Sequence, residues 1–187
     1  MVVASDLVGC RYRLVQRRAH PEMPRTHASI ARAERHAAAV EAVMEMFPRK
    51  GSGRFRRIDL EGDEWERSMR TLEALASGYT HITNAVFATA EWMVRVDLLL
   101  REGDKYTPII VSNHRVARKN DTKTTPAVPT HRLGLSEPLE APYKLRHHAV
   151  DGYRLAFAAR ALRDLGLDSG RGGAIGQDHT RAFFTET

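Results

Sequence analysis

The chain of 187 residues contains one cysteine, Cys10, and no apolar stretch long enough to cross a bilayer. One cysteine excludes an internal disulfide, an iron–sulfur cluster and any metal site built from several cysteines. A membrane-spanning helix needs about 20 consecutive apolar residues, so no membrane partner is expected. The N-terminus also lacks the basic and apolar regions of a secretory signal. These absences predict a cytoplasmic location.

Basic residues outnumber acidic ones, with 29 Lys and Arg against 23 Asp and Glu and a net charge of +6. Residues 1–57 carry +7, residues 58–100 carry −5 and residues 101–150 carry +4. Basic segments on either side of an acidic one are typical of a nucleic-acid surface around an acidic site. Ordinary proteins of Arg-rich proteomes have the same balance, so charge alone leaves both interpretations open.

Apolar periodicity predicts helices mainly in the first half of the chain. They are expected over 5–19, 29–47, 64–77 and 147–165. Asp6 and Asp63 are the predicted N-caps of the first and third helices, and Gly78 is the predicted end of the third. The inward face of that third helix is predicted to include its large apolar residues. These are Trp65, Met69, Leu72 and Leu75.

Strand-like segments dominate the second half. Strands are predicted over 82–87, 92–101, 106–112, 172–175 and 181–184, with a further short edge strand over 55–60. Residues 118–142 carry four prolines and are predicted to form a long loop with one turn of helix. This order of elements indicates one α/β domain over 1–187, in which residues 1–78 are mainly helical and residues 79–187 supply the sheet and the late helix.

A single carboxylate interrupts the most apolar predicted strand. Asp97 lies between Val96 and Leu98, and an ionised carboxylate is costly to bury unless it is paired or binds a cation. One interpretation is therefore a metal ligand. The other is an ion pair with Arg95 or Arg115, or plain exposure on a polar face of the strand.

From Trp65 to Gly176 the chain resembles the RecB-like branch of the PD-(D/E)XK nucleases. The positions that carry the resemblance are Arg67, Thr71, Leu72, Gly78, Ile82, Val86-Phe87, Trp92 through Arg101, Tyr106-Thr107-Pro108, Val111, Asp151, Leu155-Ala156, Arg160, Leu162, Gly166 and Gly172 through Gly176. The stretch from Leu7 to Arg13, with a cysteine followed by basic residues, also resembles the opening helix of that branch.

The resemblance implies a restriction-endonuclease-like mixed sheet flanked by helices. It also implies metal-dependent hydrolysis of nucleic acid, with DNA favoured, in DNA repair or recombination. In that family an Asp at the end of one strand and an acid-x-Lys triplet on the next hold Mg²⁺ or Mn²⁺ beside the scissile phosphate. Asp97 corresponds to the first acid, and is therefore the predicted catalytic residue and metal ligand.

The second motif departs from the family pattern. The acid-x-Lys triplet falls on Ile110-Val111-Ser112, which offers neither a carboxylate nor a Lys. Val94 replaces a glycine of the family. On the late helix Asp151 is retained, whereas Arg154 occupies the position of a Gln.

Other polar residues nearby are candidates for rebuilding a catalytic site. They are Glu73, Asn113, His114 and the adjacent pair His147-His148. The alternative is a catalytically inactive nuclease-like module that binds DNA or a protein partner.

Basic residues of the first helix and of the loop that follows the strand predicted over 106–112 are predicted to contact nucleic acid through its phosphates. They are Arg11, Arg13, Arg17, Arg18, Arg115, Arg118 and Lys119. We expect them to converge on one side of the molecule.

Overall fold

The structure is a computed structural model that describes residues 1–10, 12–24, 26–48 and 55–187. Within these ranges it has four α-helices. They are α1 (Arg13–Ala19), α2 (His27–Met44), α3 (Glu64–Ala76) and α4 (Ala149–Asp164). None of the helices described is long and apolar enough to cross a membrane.

The ends of α3 are those that the sequence predicts. The Asp63 carboxylate accepts hydrogen bonds from the backbone N–H groups of Trp65 and Glu66, and the Glu66 carboxylate accepts one from the N–H of Asp63. This reciprocal cap satisfies donors that the first helical turn leaves unpaired. Gly78 follows the helix with φ +68°, a conformation that glycine adopts without a Cβ penalty.

The predicted helix over 5–19 is wrong in its first half. A 3-10 turn covers Ala4–Leu7, and α1 begins only at Arg13. Asp6 does not cap α1. Its buried carboxylate accepts a hydrogen bond from the N–H of Val3 and forms a 2.6 Å ion pair with Arg17, so it ties the N-terminal turn to α1.

Eight strands form one mixed sheet in the order β1-β2-β3-β4-β9-β10-β6-β7, and β5 and β8 pair separately. The strands are β1 (Arg57–Asp59), β2 (His81–Ala88), β3 (Met93–Glu102), β4 (Lys105–Val111), β5 (Ala117–Lys119), β6 (Thr125–Pro129), β7 (Leu139–Ala141), β8 (Tyr143–Leu145), β9 (Arg171–Ile175) and β10 (Arg181–Glu186). The edge strand β1 comes from the otherwise helical first half. Strands β2, β3 and β4 form the predicted antiparallel meander, and α4 leads to β9, which runs parallel to β4.

The predicted long loop over 118–142 is wrong, because it contains β6 and β7 of the main sheet and most of β5. The single turn of helix predicted in this segment is confirmed as a 3-10 turn, Thr130–Arg132, between β6 and β7. β6 pairs with β10, more than fifty residues further along the chain. A Pro-rich segment has weak strand propensity of its own, so its strand conformation depends on pairing with a partner that is distant in the sequence.

Helices cover the two faces of the sheet. Leu98 and Leu100 of β3 belong to a core cluster that includes Val43 and Met44 of α2. Leu99, between them, belongs to the cluster that includes residues of α3 and α4. Since successive side chains of a strand point to opposite faces, α2 lies on one face, and α3 and α4 lie on the other.

The prediction that the large apolar residues of α3 face inward is wrong for three of the four. Trp65, Met69 and Leu72 are 69%, 48% and 42% exposed, and the buried residues of the helix are Ser68, Thr71, Ala74 and Leu75. The Thr71 hydroxyl accepts a hydrogen bond from the N–H of Val86 in β2. Small side chains therefore bring α3 close to the sheet, and the large apolar ones face solvent.

The alternation of β2 and β3 shifts by one residue where Asn84 lies opposite Asp97. Ile82 and Ala85 are three residues apart yet share one core cluster, as do Val96 and Leu99. A regular strand would place residues three apart on opposite faces. Asn84 has φ +55°, rare for a residue other than glycine. The distortion lies beside Asp97, the buried charged residue of β3.

Candidate functional site

Asp97 lies where β3 and β4 separate. The two strands pair from Glu102 and Lys105 to Leu98 and Ile109, and β4 then continues alongside β9. Beyond that pair, the backbone N–H of Val111 donates a 2.7 Å hydrogen bond to Oδ2 of Asp97. At the fork between the strands, the N–H of Val111 is thus paired with the Asp97 carboxylate and not with a backbone carbonyl oxygen of β3.

Arg154 of α4 reaches into the same fork. Its Nη2 atom lies 3.0 Å from both Oδ1 and Oδ2 of Asp97, and it also donates to the carbonyl oxygen of Arg95 at 3.2 Å. The side chains of Arg154 and Asp97 are only 15% and 9% exposed. His36 of α2 adds a third partner, with Nε2 3.3 Å from Oδ1. The carboxylate is therefore held from α2, α4 and β4 together.

The ion pair keeps Asp97 charged although it is buried. Burial alone raises the pKa of the Asp97 carboxyl, because it removes the charged form from water. The positive charge of Arg154, followed by the contact with His36 and the N–H of Val111, outweighs burial and holds the pKa below its ordinary value. Asp97 is ionised at neutral pH and is neutralised by a permanent cation.

The ion-pair partner differs from the two that the sequence suggested. Arg115 is exposed, and the guanidinium of Arg95 pairs with Glu64 at the start of α3. Arg154 lies 57 positions from Asp97 along the chain. Its place on the late helix, at the family's Gln position, was the signal that it approaches the site.

The positions of the acid-x-Lys triplet carry no metal-binding chemistry. Ile110 is fully buried at 0% exposure. Ser112 donates a 2.6 Å hydrogen bond from Oγ to Oδ2 of Asp151 in the first turn of α4. The hydroxyl therefore joins β4 to α4.

These residues do not fit Mg²⁺ or Mn²⁺. Mg²⁺ prefers an octahedral set of oxygen ligands, whereas a guanidinium already occupies the approach to both oxygens of Asp97. Among the residues that the structure describes, no group of three or more His, Cys, Asp or Glu side chains is arranged to hold a metal ion.

A cleft of about 800 Å³ opens beside the ion pair, lined by residues of α2, α3, α4 and strands β1 to β3. One face of α2 runs along it with Arg32 and His36 towards one end and Glu41 and Glu45 towards the other. The first end adjoins Asn113, which donates from Nδ2 to the carbonyl oxygen of Arg32 at 3.4 Å. Both ends of the cleft carry charges of both signs: Arg32 and Arg154 lie with Asp97 and Asp151 at the α4 end, and Arg57 lies with Asp59, Glu41 and Glu45 at the β1 end.

Of the candidates for rebuilding a site, only Asn113 is in the cleft lining. Glu73 lies on the exposed side of α3. The ring of His114 stacks on that of His148 with 4.3 Å between centroids. The structure does not bring Glu73, Asn113 and His114 together around Asp97.

The residues predicted to contact nucleic acid differ in their exposure and in their partners. Arg11 and the side chain of Arg13 lie outside the described residues. Arg17 donates to Asp6 and to the carbonyl oxygen of Met1. The remaining four side chains belong to exposed or half-buried residues of the surface: Arg18, Arg115, Arg118 and Lys119. Their convergence on one side of the molecule stays a prediction.

Sequence reasoning missed the contribution of α2 to the site. Arg32 and His36 are four residues apart, on the helix face that carries Ala33, Ala37 and Val40. Two basic residues at this spacing within a row of small apolar residues lie on one side of a helix. That pattern was the available signal for a polar site on α2.

Comparisons of the chain with family models, curated proteins and solved structures found no match.

Proposed function

We propose that this chain is a RecB-like, PD-(D/E)XK-type protein that binds nucleic acid and does not cleave it. The observation that carries the proposal is the contact of Arg154 with both carboxylate oxygens of Asp97, in the fork between β3 and β4. Because of this ion pair, the carboxylate that the resemblance assigns to metal binding already has a cationic partner.

The topology supports the relationship to nucleases. The order α3, β2-β3-β4 meander, α4 and then β9 parallel to β4 is the order on which the resemblance rests. Asp97 lies within hydrogen-bond distance of Val111, the middle residue of the degenerate triplet. The first acid and the triplet are therefore adjacent in space.

The side chains argue against hydrolysis. In metal-dependent phosphodiester hydrolysis the cation polarises the phosphate and lowers the pKa of the attacking water. Loss of even one preorganised electrostatic group costs about 10²–10³-fold in rate. Here the second carboxylate is replaced by Ile110 and the Lys by Ser112, and Asp97 is paired with Arg154.

The charge balance supports nucleic acid as the ligand, with DNA favoured. The net charge is +6, and Arg18, Arg115, Arg118 and Lys119 lie at the surface. Neutralisation of phosphates by such side chains releases counterions, so affinity falls steeply as salt rises.

The exposed apolar stripe of α3 favours a second candidate function, binding of a protein partner. Trp65, Met69 and Leu72 follow one another at helical spacing on the solvent side. Contiguous exposed apolar residues of this kind mark interaction surfaces. A role in nucleic-acid binding does not explain them.

A paired cleavage and binding experiment tests the proposal. Linear duplex DNA, single-stranded DNA and RNA are incubated with wild-type protein in Mg²⁺ or Mn²⁺, beside Asp97→Ala. We expect no cleavage, and binding of at least one nucleic acid whose affinity declines log-linearly with salt. Cleavage that Asp97→Ala abolishes would restore the enzyme interpretation. Absence of both cleavage and binding would leave the protein-interaction candidate.

A further inference from the structure

We infer that Arg154 takes the place of a divalent cation at this site and itself binds a phosphate of the ligand, so that binding needs no metal. The inference rests on the proposed function, because it names the group that would contact nucleic acid in the cleft. Arg154 is one of the residues that line the cleft.

The hydrogen bonds of Arg154 leave a portion of its guanidinium for a ligand. Its contacts with Asp97 and with the carbonyl oxygen of Arg95 are all made by Nη2. Within the described residues, its Nη1 and Nε atoms make no hydrogen bond. A guanidinium has five N–H donors in a rigid fork, and two of them match two oxygens of a phosphate.

Burial fixes the direction of those donors. The Arg154 side chain is only 15% exposed, and Asp97 holds one end of the guanidinium in place. A donor that is oriented before the ligand arrives loses little conformational entropy on binding. The arrangement therefore presents a preorganised anion contact at one end of the cleft.

The charges along α2 place the anion at the same end. Arg32 lines the cleft on the side of Asn113, whereas Glu41 and Glu45 line the opposite end. On the α2 side of the cleft a phosphate is attracted towards Arg32 and away from Glu41 and Glu45. Asp97 and Asp151 offset part of the attraction at the α4 end, so the contact depends on the hydrogen-bond donors of Arg154 that remain unused.

Asp97 has opposite effects on phosphate binding in a metal-dependent site and in a site formed by Arg154. A variant of Asp97 therefore distinguishes the two. In a metal-dependent site Asp97 holds the cation, so Asp97→Asn would weaken binding of the phosphate. In the arrangement that we infer, the charge of Asp97 opposes that of the anion contact. Asp97→Asn then leaves Arg154 with its full charge, and binding becomes tighter.

The test measures fluorescence anisotropy of a labelled DNA oligonucleotide, in EDTA and in Mg²⁺. Four variants are compared with the wild type: Asp97→Asn, Arg154→Gln, the double variant Asp97→Asn/Arg154→Gln, and Arg160→Gln. Arg160 is an exposed Arg on the same helix outside the cleft lining, so it is the matched control. The double variant removes both charges, so it keeps folding measurable if Arg154→Gln alone destabilises the protein by leaving the buried Asp97 carboxylate without the cation that neutralises it.

We expect equal wild-type affinity in EDTA and Mg²⁺, and tighter binding by Asp97→Asn. Arg154→Gln and the double variant should each lose about 10- to 100-fold in affinity, as for the loss of a charge-assisted contact. Arg160→Gln should stay within about threefold of the wild type, as expected for an exposed, salt-screened charge. Loss of binding in EDTA, or a double variant that binds as well as Arg160→Gln, would overturn the inference and leave nucleic-acid binding standing.

Thermal unfolding in inorganic phosphate, compared with chloride at equal ionic strength, distinguishes failure of this inference from failure of the proposed function. Phosphate stabilises any folded protein to some extent by exclusion from its surface, so the expected result is a larger rise in Tm for the wild type and Asp97→Asn than for the double variant. If this pattern appears while DNA is not bound, the anion site stands and the proposed function fails. If neither phosphate nor DNA is bound, both are overturned.

Discussion

Ser112 donates a 2.6 Å hydrogen bond to Asp151, and this bond joins the end of β4 to the first turn of α4. Ser112 occupies the position at which the resemblance expects a Lys, and Asp151 is the retained acid of the late helix. Both residues therefore have a structural partner, as Asp97 has in Arg154. The side chains around the fork between β3 and β4 hold the sheet and α4 together.

Ser112→Ala should destabilise the protein by about 1–3 kcal/mol, since it removes a buried hydrogen bond to a carboxylate. Ser112 is 2% exposed, so water does not readily replace the lost donor. The measurement is urea unfolding at pH 7. Ser77→Ala, at an exposed position after α3, is the control and should change stability by less than about 0.5 kcal/mol. Equal effects for the two variants would show that the Ser112 bond contributes nothing.

Stability should fall as pH falls from about 6.5 to about 4, because of His81. Burial lowers the pKa of His81 to about 4, although the bond to the carbonyl oxygen of Leu133 partly opposes this. The unfolded chain takes up a proton near pH 6.5, so within this window the unfolded state binds more protons and is favoured. The loss amounts to roughly 3 kcal/mol across the window. The pKa of Asp97 is held below its ordinary value in the folded protein, so its own contribution is lost as the pH falls through and below the ordinary carboxyl range, from the low end of this window downward.

The measurement is the free energy of unfolding as a function of pH. His81→Gln keeps a neutral donor in the site and should flatten the curve between pH 6.5 and 4. His131→Gln, at an exposed position, should leave the curve parallel to that of the wild type. A wild-type curve that is flat in this window would mean that His81 is protonated in the folded protein without cost.

Gly134 packs against the His81 ring and should not accept a side chain. Its φ is +77°, and an added Cβ would lie 2.7 Å from Cε1 of His81. Gly103 has a similar φ of +64° with nothing within 4 Å of the added atom, so it isolates the backbone cost. Gly103→Ala should cost about 1–2 kcal/mol from the left-handed conformation alone. Gly134→Ala should cost about 1–3 kcal/mol more through overpacking.

Thermal or urea unfolding of the two variants side by side gives the difference directly. If Gly134→Ala and Gly103→Ala lost equal stability, the packing of His81 beneath Gly134 would be loose enough to accept a methyl group.

Much of the scaffold could be predicted because its signals are local. The caps of α3 lie within three residues of its first turn, and the β2-β3-β4 meander is built from neighbouring segments. The strands of 117–145 could not be predicted in the same way. They are three to five residues long, and β6 depends on β10, which follows much later in the sequence.

The candidate site was only partly predictable for the same reason. Asp97 stood out because a carboxylate within an apolar strand requires a partner. The identity of that partner depends on how α4 crosses the sheet, and Arg154 lies 57 positions away from Asp97 in the chain. The role of His36 likewise depends on the packing of α2 against the opposite face of the sheet. No spacing rule within one element contains this information.

The outward stripe of α3 gives the last prediction, which compares Leu72 with Leu75. Leu72 is 42% exposed and Leu75 is 6% exposed. Leu72→Gln should therefore change the free energy of unfolding by less than about 0.5 kcal/mol, whereas Leu75→Ala should cost about 2–5 kcal/mol by removing buried methyl groups. Urea unfolding of both variants measures the contrast. If Leu72→Gln were as destabilising as Leu75→Ala, α3 would be rotated so that its large apolar residues face the sheet, as hydrophobic periodicity alone predicts. A neutral Leu72→Gln would instead leave Trp65, Met69 and Leu72 as a surface that folding does not require, and would make this variant the one with which to test partner binding.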